Sequence, residues 1–131
     1  MARKGTQRRA RKKGAAPNLR VRVEVGTGVI GPGKIELLER LQAEGSITRA
    51  AQSMGLSYRR AWYLIDTLNS AFGRPVTQTK VGGEGGGGAE LTPLGQELVT
   101  RYRAALAAVD TAGQPLLQWL GETVETGAKR G

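Results

Sequence analysis

Residues 45–62 read GSITRAAQSMGLSYRRAW, and this stretch predicts two short helices joined by a tight turn. Ser46 and Ser57 are each placed to cap a helix, because a serine at this position accepts a hydrogen bond from the free N–H groups of the first turn. Gly55 can take the left-handed backbone that the turn requires, and the small Ala51 allows the helices to approach closely. Two capped helices joined by a short glycine-containing turn are the outline of a helix-turn-helix.

The helix that begins at Tyr58 is predicted to run to about Ala71, and its two sides differ in chemistry. At about 100° per residue, the apolar side is expected to face the core and consists of Ala61, Ile65, Leu68 and Phe72. The opposite side, with Asp66 at its edge, carries Arg59, Arg60, Tyr63 and Thr67. Guanidinium, phenol and hydroxyl groups contact guanine edges and phosphates in a DNA major groove. This side therefore predicts a nucleic-acid surface, and the alternative is the solvated face of an ordinary helix pair.

The sequence before this helix pair predicts a strand and a helix. Residues 19–25 alternate apolar and polar side chains without a break, which is typical of a half-buried strand. Pro32 and Gly33 then open a helix that ends at Gly45. Its apolar residues recur every three positions, at Ile35, Leu38 and Leu41.

The sequence after the helix pair predicts a β-hairpin. Two extended segments, residues 75–81 and 89–91, flank a run of six glycines and one glutamate at 82–88. Such a tip is typical of a wing, because glycine lets backbone N–H groups come close to phosphates. A plain flexible linker is the alternative. A phosphate-binding P-loop is excluded, because the run lacks the Lys-Ser/Thr ending.

Thr92 and Pro93 predict the start of a long helix, because threonine is a favoured cap and proline is favoured at the first helical position. An apolar stripe continues this helix to about Ala112. Gly113 and Pro115 are then expected to break it. A short final helix is expected to follow, with an apolar cluster of Leu116, Leu117, Trp119 and Leu120.

The formal net charge of +9 comes from the start of the chain. Residues 1–22 hold nine lysines and arginines and no acid, whereas the rest of the chain holds 11 basic and 11 acidic side chains. A basic block of this kind is typical of a disordered tail that contacts polyanions. Nucleic acid is the expected polyanion, since the block lacks the large apolar residues that would insert into a membrane surface.

The composition excludes several classes of function. The chain has no cysteine and no histidine, so it can form no disulfide, no thiolate metal site and no Ser-His or Cys-His nucleophile pair. We therefore expect no catalytic residue, no metal site and no enzymatic activity. No uncharged apolar run approaches the roughly 18 residues that span a bilayer, so the expected location is the cytoplasm.

Four segments together resemble one known family. They are GSITRAA at 45–51, LSYRRAW at 56–62, DTLN at 66–69 and GGEGGGGAELT at 82–92. They resemble the N-terminal DNA-binding domain of the molybdate-dependent ModE-type transcriptional regulators, which is related to the LysR-type winged helix. The resemblance covers roughly residues 19–112. It implies double-stranded DNA as the partner and a homodimer held through the first and the long last helices.

The predicted DNA contacts combine this resemblance with the residue patterns. By resemblance, Tyr58, Arg59, Arg60 and Tyr63 lie on the DNA-facing helix, and Lys80 with the loop at 82–88 forms the wing. The complete predicted set is Ser46, Thr48, Arg49, Ser57, Tyr58, Arg59, Arg60, Tyr63, Thr67, Lys80, Gly82, Gly83, Gly85 and Gly86.

Full-length members of the family continue into molybdate-binding β-barrel modules. Only 19 residues follow Ala112 in this sequence, fewer than the several strands of a small barrel require. We therefore expect no molybdate-binding domain, no cofactor and no small-molecule effector.

The sequence thus predicts a mainly α fold with a small β-hairpin (α+β), arranged as a winged helix-turn-helix with a long C-terminal dimerisation helix. The expected organisation is a disordered basic arm at 1–17, a DNA-binding domain including the long helix at 18–112, and a short C-terminal helix and tail at 113–131. The predicted function is sequence-specific, single-domain transcriptional regulation linked to molybdate transport or metabolism genes. The alternative is a non-specific architectural or RNA-associated protein.

Overall fold

The computed structural model describes residues 16–80 and 88–130, with side chains up to Val124. Residues 20–108 form one compact unit, here named the core unit. The described residues before Arg20 and those from Val109 onward form a second, here named the terminal unit. In chain order the elements are β1 (Val23–Val25), β2 (Gly28–Ile30), α1 (Pro32–Glu44), α2 (Ile47–Ser53), α3 (Tyr58–Phe72), β3 (Thr77–Lys80), β4 (Gly88–Leu91) and α4 (Pro93–Arg130).

The predicted helices α1, α2 and α3 are confirmed, and their ends show why they form. The hydroxyl of Ser46 accepts a hydrogen bond from the backbone N–H three residues on, at 3.2 Å, and Ser57 does the same at 3.0 Å. Gly45 ends α1 with φ at 70°, and Gly55 lies in the turn before α3 with φ at 71°. Both glycines take the left-handed backbone that other residues rarely adopt.

The hydrophobic core of the core unit lies where α1, α2 and α3 meet. Its buried apolar side chains include Ile35, Leu37, Leu38 and Leu41 from α1, Ile47, Ala50 and Ala51 from α2, and Ala61, Ile65 and Leu68 from α3. The predicted core side of α3 is confirmed except at its last position, where Phe72 is only partly buried. Burying one leucine or isoleucine stabilises a fold by about 1.5–3 kcal/mol, so this cluster holds the three helices together.

The prediction of one strand over residues 19–25 is wrong in its extent. Only β1 is a strand, and it pairs with β2 in an antiparallel hairpin that the sequence patterns did not predict. Gly26, with φ at 56°, lies in the turn of this hairpin. Val21 lies outside this hairpin, and its carbonyl accepts a hydrogen bond from the hydroxyl of Tyr102 at 2.7 Å. The apolar alternation before β1 therefore reflects side-chain packing, as at Val21, and not strand pairing.

The predicted second hairpin is confirmed. Strands β3 and β4 are antiparallel, with Thr77 opposite Leu91 and Lys80 opposite Gly88. We name this pair the wing hairpin. The rest of the glycine run, including the predicted contacts Gly82, Gly83, Gly85 and Gly86, lies outside the described residues.

The prediction that Gly113 and Pro115 break the long helix is wrong, because α4 continues through both to Arg130. A proline inside a helix perturbs the preceding turn, and the side chain of Gln114 donates to the Asp110 carbonyl in that turn at 3.2 Å. Within the terminal unit, a Cβ at Gly113 would meet the flexible end of the Leu19 side chain. Leu19 therefore packs on α4 at this glycine, and the helix does not end there.

Thr92 joins the end of α3, the start of the wing hairpin and the start of α4. Its hydroxyl donates to the Pro75 carbonyl at 2.9 Å and accepts from the Gly95 N–H at 3.1 Å. Its backbone N–H donates to the Val76 carbonyl at 3.0 Å. The Val76 N–H in turn donates to the side-chain oxygen of Asn69, at 2.8 Å. Because Thr92 is buried, each of these polar groups depends on the bonds it makes here. We name this network the Thr92 junction.

Gly95 lies in the first turn of α4 and is buried against the backbone of Val76. A Cβ at Gly95 would collide with the Val76 carbonyl oxygen and would lie 3.3 Å from the Cβ of Leu91. Neither neighbour is the flexible end of a side chain, so the start of α4 can approach the wing hairpin only because residue 95 is glycine.

We predict that Gly95→Ala lowers the free energy of unfolding by about 1–3 kcal/mol, the usual range for overpacking. The matched control is Gly33→Ala in the first turn of α1, where an added Cβ meets nothing within 4 Å. This control should leave stability unchanged or raise it slightly, because alanine is the better helix former. Urea unfolding followed by circular dichroism measures both variants. Equal stability of the two variants would contradict the packing described for Gly95.

Candidate nucleic-acid interface

The exposed side of α3 carries the polar residues that the helical pattern predicted. Arg59 and Arg60 are exposed, and the rings of Tyr58 and Tyr63 remain 54% and 56% exposed. Thr67 differs from that prediction, because it is half-buried and its hydroxyl donates to the Leu64 carbonyl at 2.7 Å. We name Arg59, Arg60 and Tyr63 the outer face of α3.

Arg60 has a defined position on this outer face. Its guanidinium carbon lies 5.2 Å from the centre of the Tyr63 ring, within the range of a cation–π contact. The ammonium of Lys34, in the first turn of α1, donates to the Val29 carbonyl at 2.7 Å. Burial lowers the pKa of Lys34, and the positive charge of Arg60 lowers it further.

The predicted contacts at the starts of α2 and α3 differ in how much of each side chain is free. Thr48 and Arg49 are exposed in α2. The hydroxyl oxygens of Ser46 and Ser57 accept the capping bonds, so their protons can still be donated outward. Lys80 is exposed at the end of β3.

An open cleft of about 350 Å³ lies between the starts of α2 and α3 and the wing hairpin. The rings of Tyr58 and Trp62 meet edge to face in its wall, with centroids 6.4 Å apart. None of the described side chains that line it is charged: they are Ser46, Ile47, Thr48, Tyr58, Trp62, Thr77, Gln78, Thr79 and Ala89, with Gly88.

Only Ser46, Thr48 and Tyr58 of these lining residues were among the predicted contacts, and the polar residues Thr77, Gln78 and Thr79 of β3 were not. The sequence places them in an extended segment, but it gives no signal that this segment lies beside the starts of two helices. The structure supplies the reason, because the Ala89 N–H donates to the Gly45 carbonyl at 3.0 Å. This bond attaches the wing hairpin to the end of α1, directly before α2.

Some arginines of the core unit are held in ion pairs, and others are not. On α1 and α4, Arg40 pairs with Glu36, Arg101 with Glu97, and Arg103 with Glu39. The exposed cations between residues 45 and 80 have no carboxylate within 4.0 Å in the described part of the chain. They are Arg49, Arg59, Arg60, Arg74 and Lys80, and the same stretch contains one acid, Asp66.

Among the residues that the structure describes, no group of three or more acidic, histidine or cysteine side chains is placed to hold a metal ion. None of the described helices has the combined length and apolar character needed to cross a membrane.

Two capped helices joined by a glycine turn, followed by an antiparallel hairpin and a long helix, define a winged helix-turn-helix domain. Residues 33–96 match the family described as bacterial regulatory helix-turn-helix protein, lysR family. Residues 33–96 are therefore similar to a LysR-type helix-turn-helix domain, and the predicted fold class is confirmed.

The most informative sequence relatives are ModE proteins. The chain is 40% identical over 99 residues to the molybdenum transport protein ModE of Azotobacter vinelandii, covering 76% of this chain and 36% of that protein. It is 39% identical over 71 residues to the DNA-binding transcriptional dual regulator ModE of Escherichia coli K12, covering 54% of this chain and 27% of that protein. The chain spans about a third of the length of these curated relatives, and the resemblance to ModE-type regulators is confirmed over the shared region.

A solved structure supports the same fold. The crystal structure of the CbnR_DBD-DNA complex superposes with a TM-score of 0.51 at 17% identity, covering 63% of this chain and 90% of that chain. At this identity the similarity establishes the fold alone.

We predict that Ser57→Ala lowers the free energy of unfolding by about 1 kcal/mol, because it removes the cap of α3. Ser57→Asp should keep wild-type stability, since aspartate also caps a helix and its charge suits the N-terminus. Ser70→Ala is the control on the exposed surface of the same helix and should change stability by no more than about 0.5 kcal/mol. Urea unfolding measures all three variants. A Ser57→Ala variant as stable as Ser70→Ala would show that the cap contributes nothing.

Proposed function

We propose that this chain is a sequence-specific DNA-binding transcriptional regulator of the ModE type. The observation that carries the proposal is the group of unpaired cations on α2, α3 and the wing hairpin. Cations that have no carboxylate partner are free to neutralise phosphates, which supply most of the affinity between proteins and DNA. The ModE protein of Escherichia coli is named a DNA-binding transcriptional dual regulator, which supports the same role here.

In this proposal α3 enters the major groove of double-stranded DNA. The recognition helix of a helix-turn-helix contacts base edges through its N-terminal residues, and Tyr58, Arg59 and Arg60 occupy the first turn of α3. Tyr63 follows one turn later on the outer face. Thr67 can only accept a hydrogen bond from DNA, because its proton is already donated within the helix.

The remaining proposed contacts surround α3. Thr48 and Arg49 on α2 and Lys80 on the wing hairpin are exposed and suited to phosphates. Ser46 and Ser57 would donate their hydroxyl protons. The glycines at 82, 83, 85 and 86 are proposed as backbone contacts at the wing tip.

Regulation of molybdate transport or metabolism genes follows from the relatives, one of which is named a molybdenum transport protein. We propose that the residues present here bind no molybdate themselves. A compact dianion needs converging donors together with a cation, and the described cleft offers hydroxyls without any charged side chain. We also propose that the chain acts in the cytoplasm, has no catalytic activity and needs no cofactor.

A non-specific architectural or RNA-associated role is the second candidate, and binding measurements separate it from regulation. Site selection from random duplexes should yield a sequence bound at least about 10³-fold more tightly than random DNA of equal length. Deleting residues 1–16 should weaken both complexes and flatten the plot of log affinity against log salt by about 0.9 per lost phosphate contact, while the preference survives. Equal affinity for all duplexes, or for single-stranded RNA, would favour the second candidate.

We further propose that the chain forms a homodimer through the second half of α4. Within the terminal unit, Leu116, Trp119 and Val124 are 51%, 57% and 62% exposed, and Val109 is also exposed. At about 100° per residue these four side chains lie on one broad side of the helix. Exposed apolar patches of this kind mark interfaces. By contrast, the apolar side chains of α1 are buried in their own chain, so α1 has little apolar surface for the predicted interface.

We predict that Trp119→Glu converts the dimer to a monomer at micromolar concentration, because it places a charge in the apolar interface. Thr111→Glu is the matched control, since Thr111 is exposed on the opposite side of α4. Light scattering measures the mass, and the dimer should bind an inverted repeat with half-sites about 34–36 Å apart or a multiple of that spacing. A monomeric wild-type chain, or a Trp119→Glu variant that stays dimeric, would contradict this interface.

A further inference from the structure

Arg59 and Arg60 are neighbours in sequence, but the structure holds them differently. The Arg60 guanidinium lies over the ring of Tyr63, three residues along the same helix. The side chain of Arg59 makes no ring contact, hydrogen bond or ion pair with any residue that the structure describes. One arginine of the outer face therefore has a preferred position, and the other is free to move.

A guanidinium stacked on an aromatic ring keeps its N–H edge available. Stacking uses the flat face of the group, whereas its hydrogen bonds are made in the plane. Bidentate donation to O6 and N7 of guanine is the commonest specific contact of arginine in a major groove. An arginine that is already positioned loses less side-chain freedom when it makes such a contact.

We infer that Arg60 recognises a guanine base in the operator, that Tyr63 is its positioning residue, and that Arg59 contacts phosphate. This inference rests on the proposed function, because it assigns roles within the same interface. Tyr63 acts through its ring face and not through its hydroxyl, so phenylalanine should replace it.

The test uses the full chain and the operator obtained by site selection. Each guanine of one half-site is replaced in turn by 7-deazaguanine, which lacks the N7 acceptor, or by hypoxanthine, which keeps both O6 and N7. The wild-type chain should lose about tenfold in affinity or more at one guanine on 7-deaza substitution. Hypoxanthine at that position should leave the affinity nearly unchanged.

Protein variants then show which side chain causes the loss of affinity on 7-deazaguanine substitution. Arg60→Ala should bind the operator more weakly and should no longer respond to 7-deazaguanine at that position. Arg59→Ala should weaken operator and random DNA by the same factor and should keep the full penalty. Tyr63→Phe should behave as wild type, whereas Tyr63→Leu should lose most of the discrimination and keep an unchanged melting temperature.

Two outcomes overturn the inference alone, provided that the wild-type chain prefers its operator. They are an Arg60→Ala variant that keeps the 7-deazaguanine penalty, and a Tyr63→Leu variant that discriminates as well as wild type. A wild-type chain that binds every duplex equally would overturn the proposed function and this inference together.

Discussion

The Thr92 junction is the interaction on which the arrangement of the candidate interface depends. Two hydrogen bonds of one hydroxyl and one of the backbone N–H connect Thr92 to Pro75, Val76 and Gly95. Asn69 extends the same network into α3. Because these bonds are partly or fully buried, losing one partner would leave the others unsatisfied, at about 1–3 kcal/mol for each group. The end of α3, the wing hairpin and the start of α4 therefore keep fixed positions, and α3 presents its outer face beside the wing hairpin.

Features that depend on neighbouring residues were predictable from the sequence. Ser46 and Ser57 act on N–H groups only three residues away, and Gly55 acts on its own backbone, so the helix-turn-helix could be identified without knowledge of the fold. The helical period correctly placed the buried and exposed sides of α3 for the same reason. The two wrongly predicted element boundaries, of the first strand and of α4, lie where distant segments meet. The carbonyl of Val21 accepts a hydrogen bond from Tyr102, and Leu19 packs at Gly113.

In the candidate site too, the features set by neighbouring residues were predictable from the sequence, and the contacts between distant segments were not. The sequence predicted the chemistry of the outer face of α3, but it could not show that the Arg60 guanidinium lies over the Tyr63 ring while Arg59 has no such contact. The uncharged cleft was also missed, because its wall combines α2, α3 and the wing hairpin. Thr67 shows the limit of a helical wheel: it lies on the polar side, yet its hydroxyl is used by the helix backbone.

Three glutamates on α1 and α4 neutralise three arginines of the core unit, whereas Arg20, Arg22 and the arginines of α2 and α3 have no carboxylate within 4.0 Å among the described residues. Glu36, Glu39 and Glu97 each neutralise an arginine at close range, so these pairs exert little field beyond a Debye length of about 8 Å. The unpaired cations of α2, α3 and the wing hairpin keep their long-range attraction for a polyanion. Such a partner is drawn toward these elements before any contact forms, and it reaches the surface already oriented. The placement of three carboxylates therefore governs how fast a complex forms, in addition to how long it lasts.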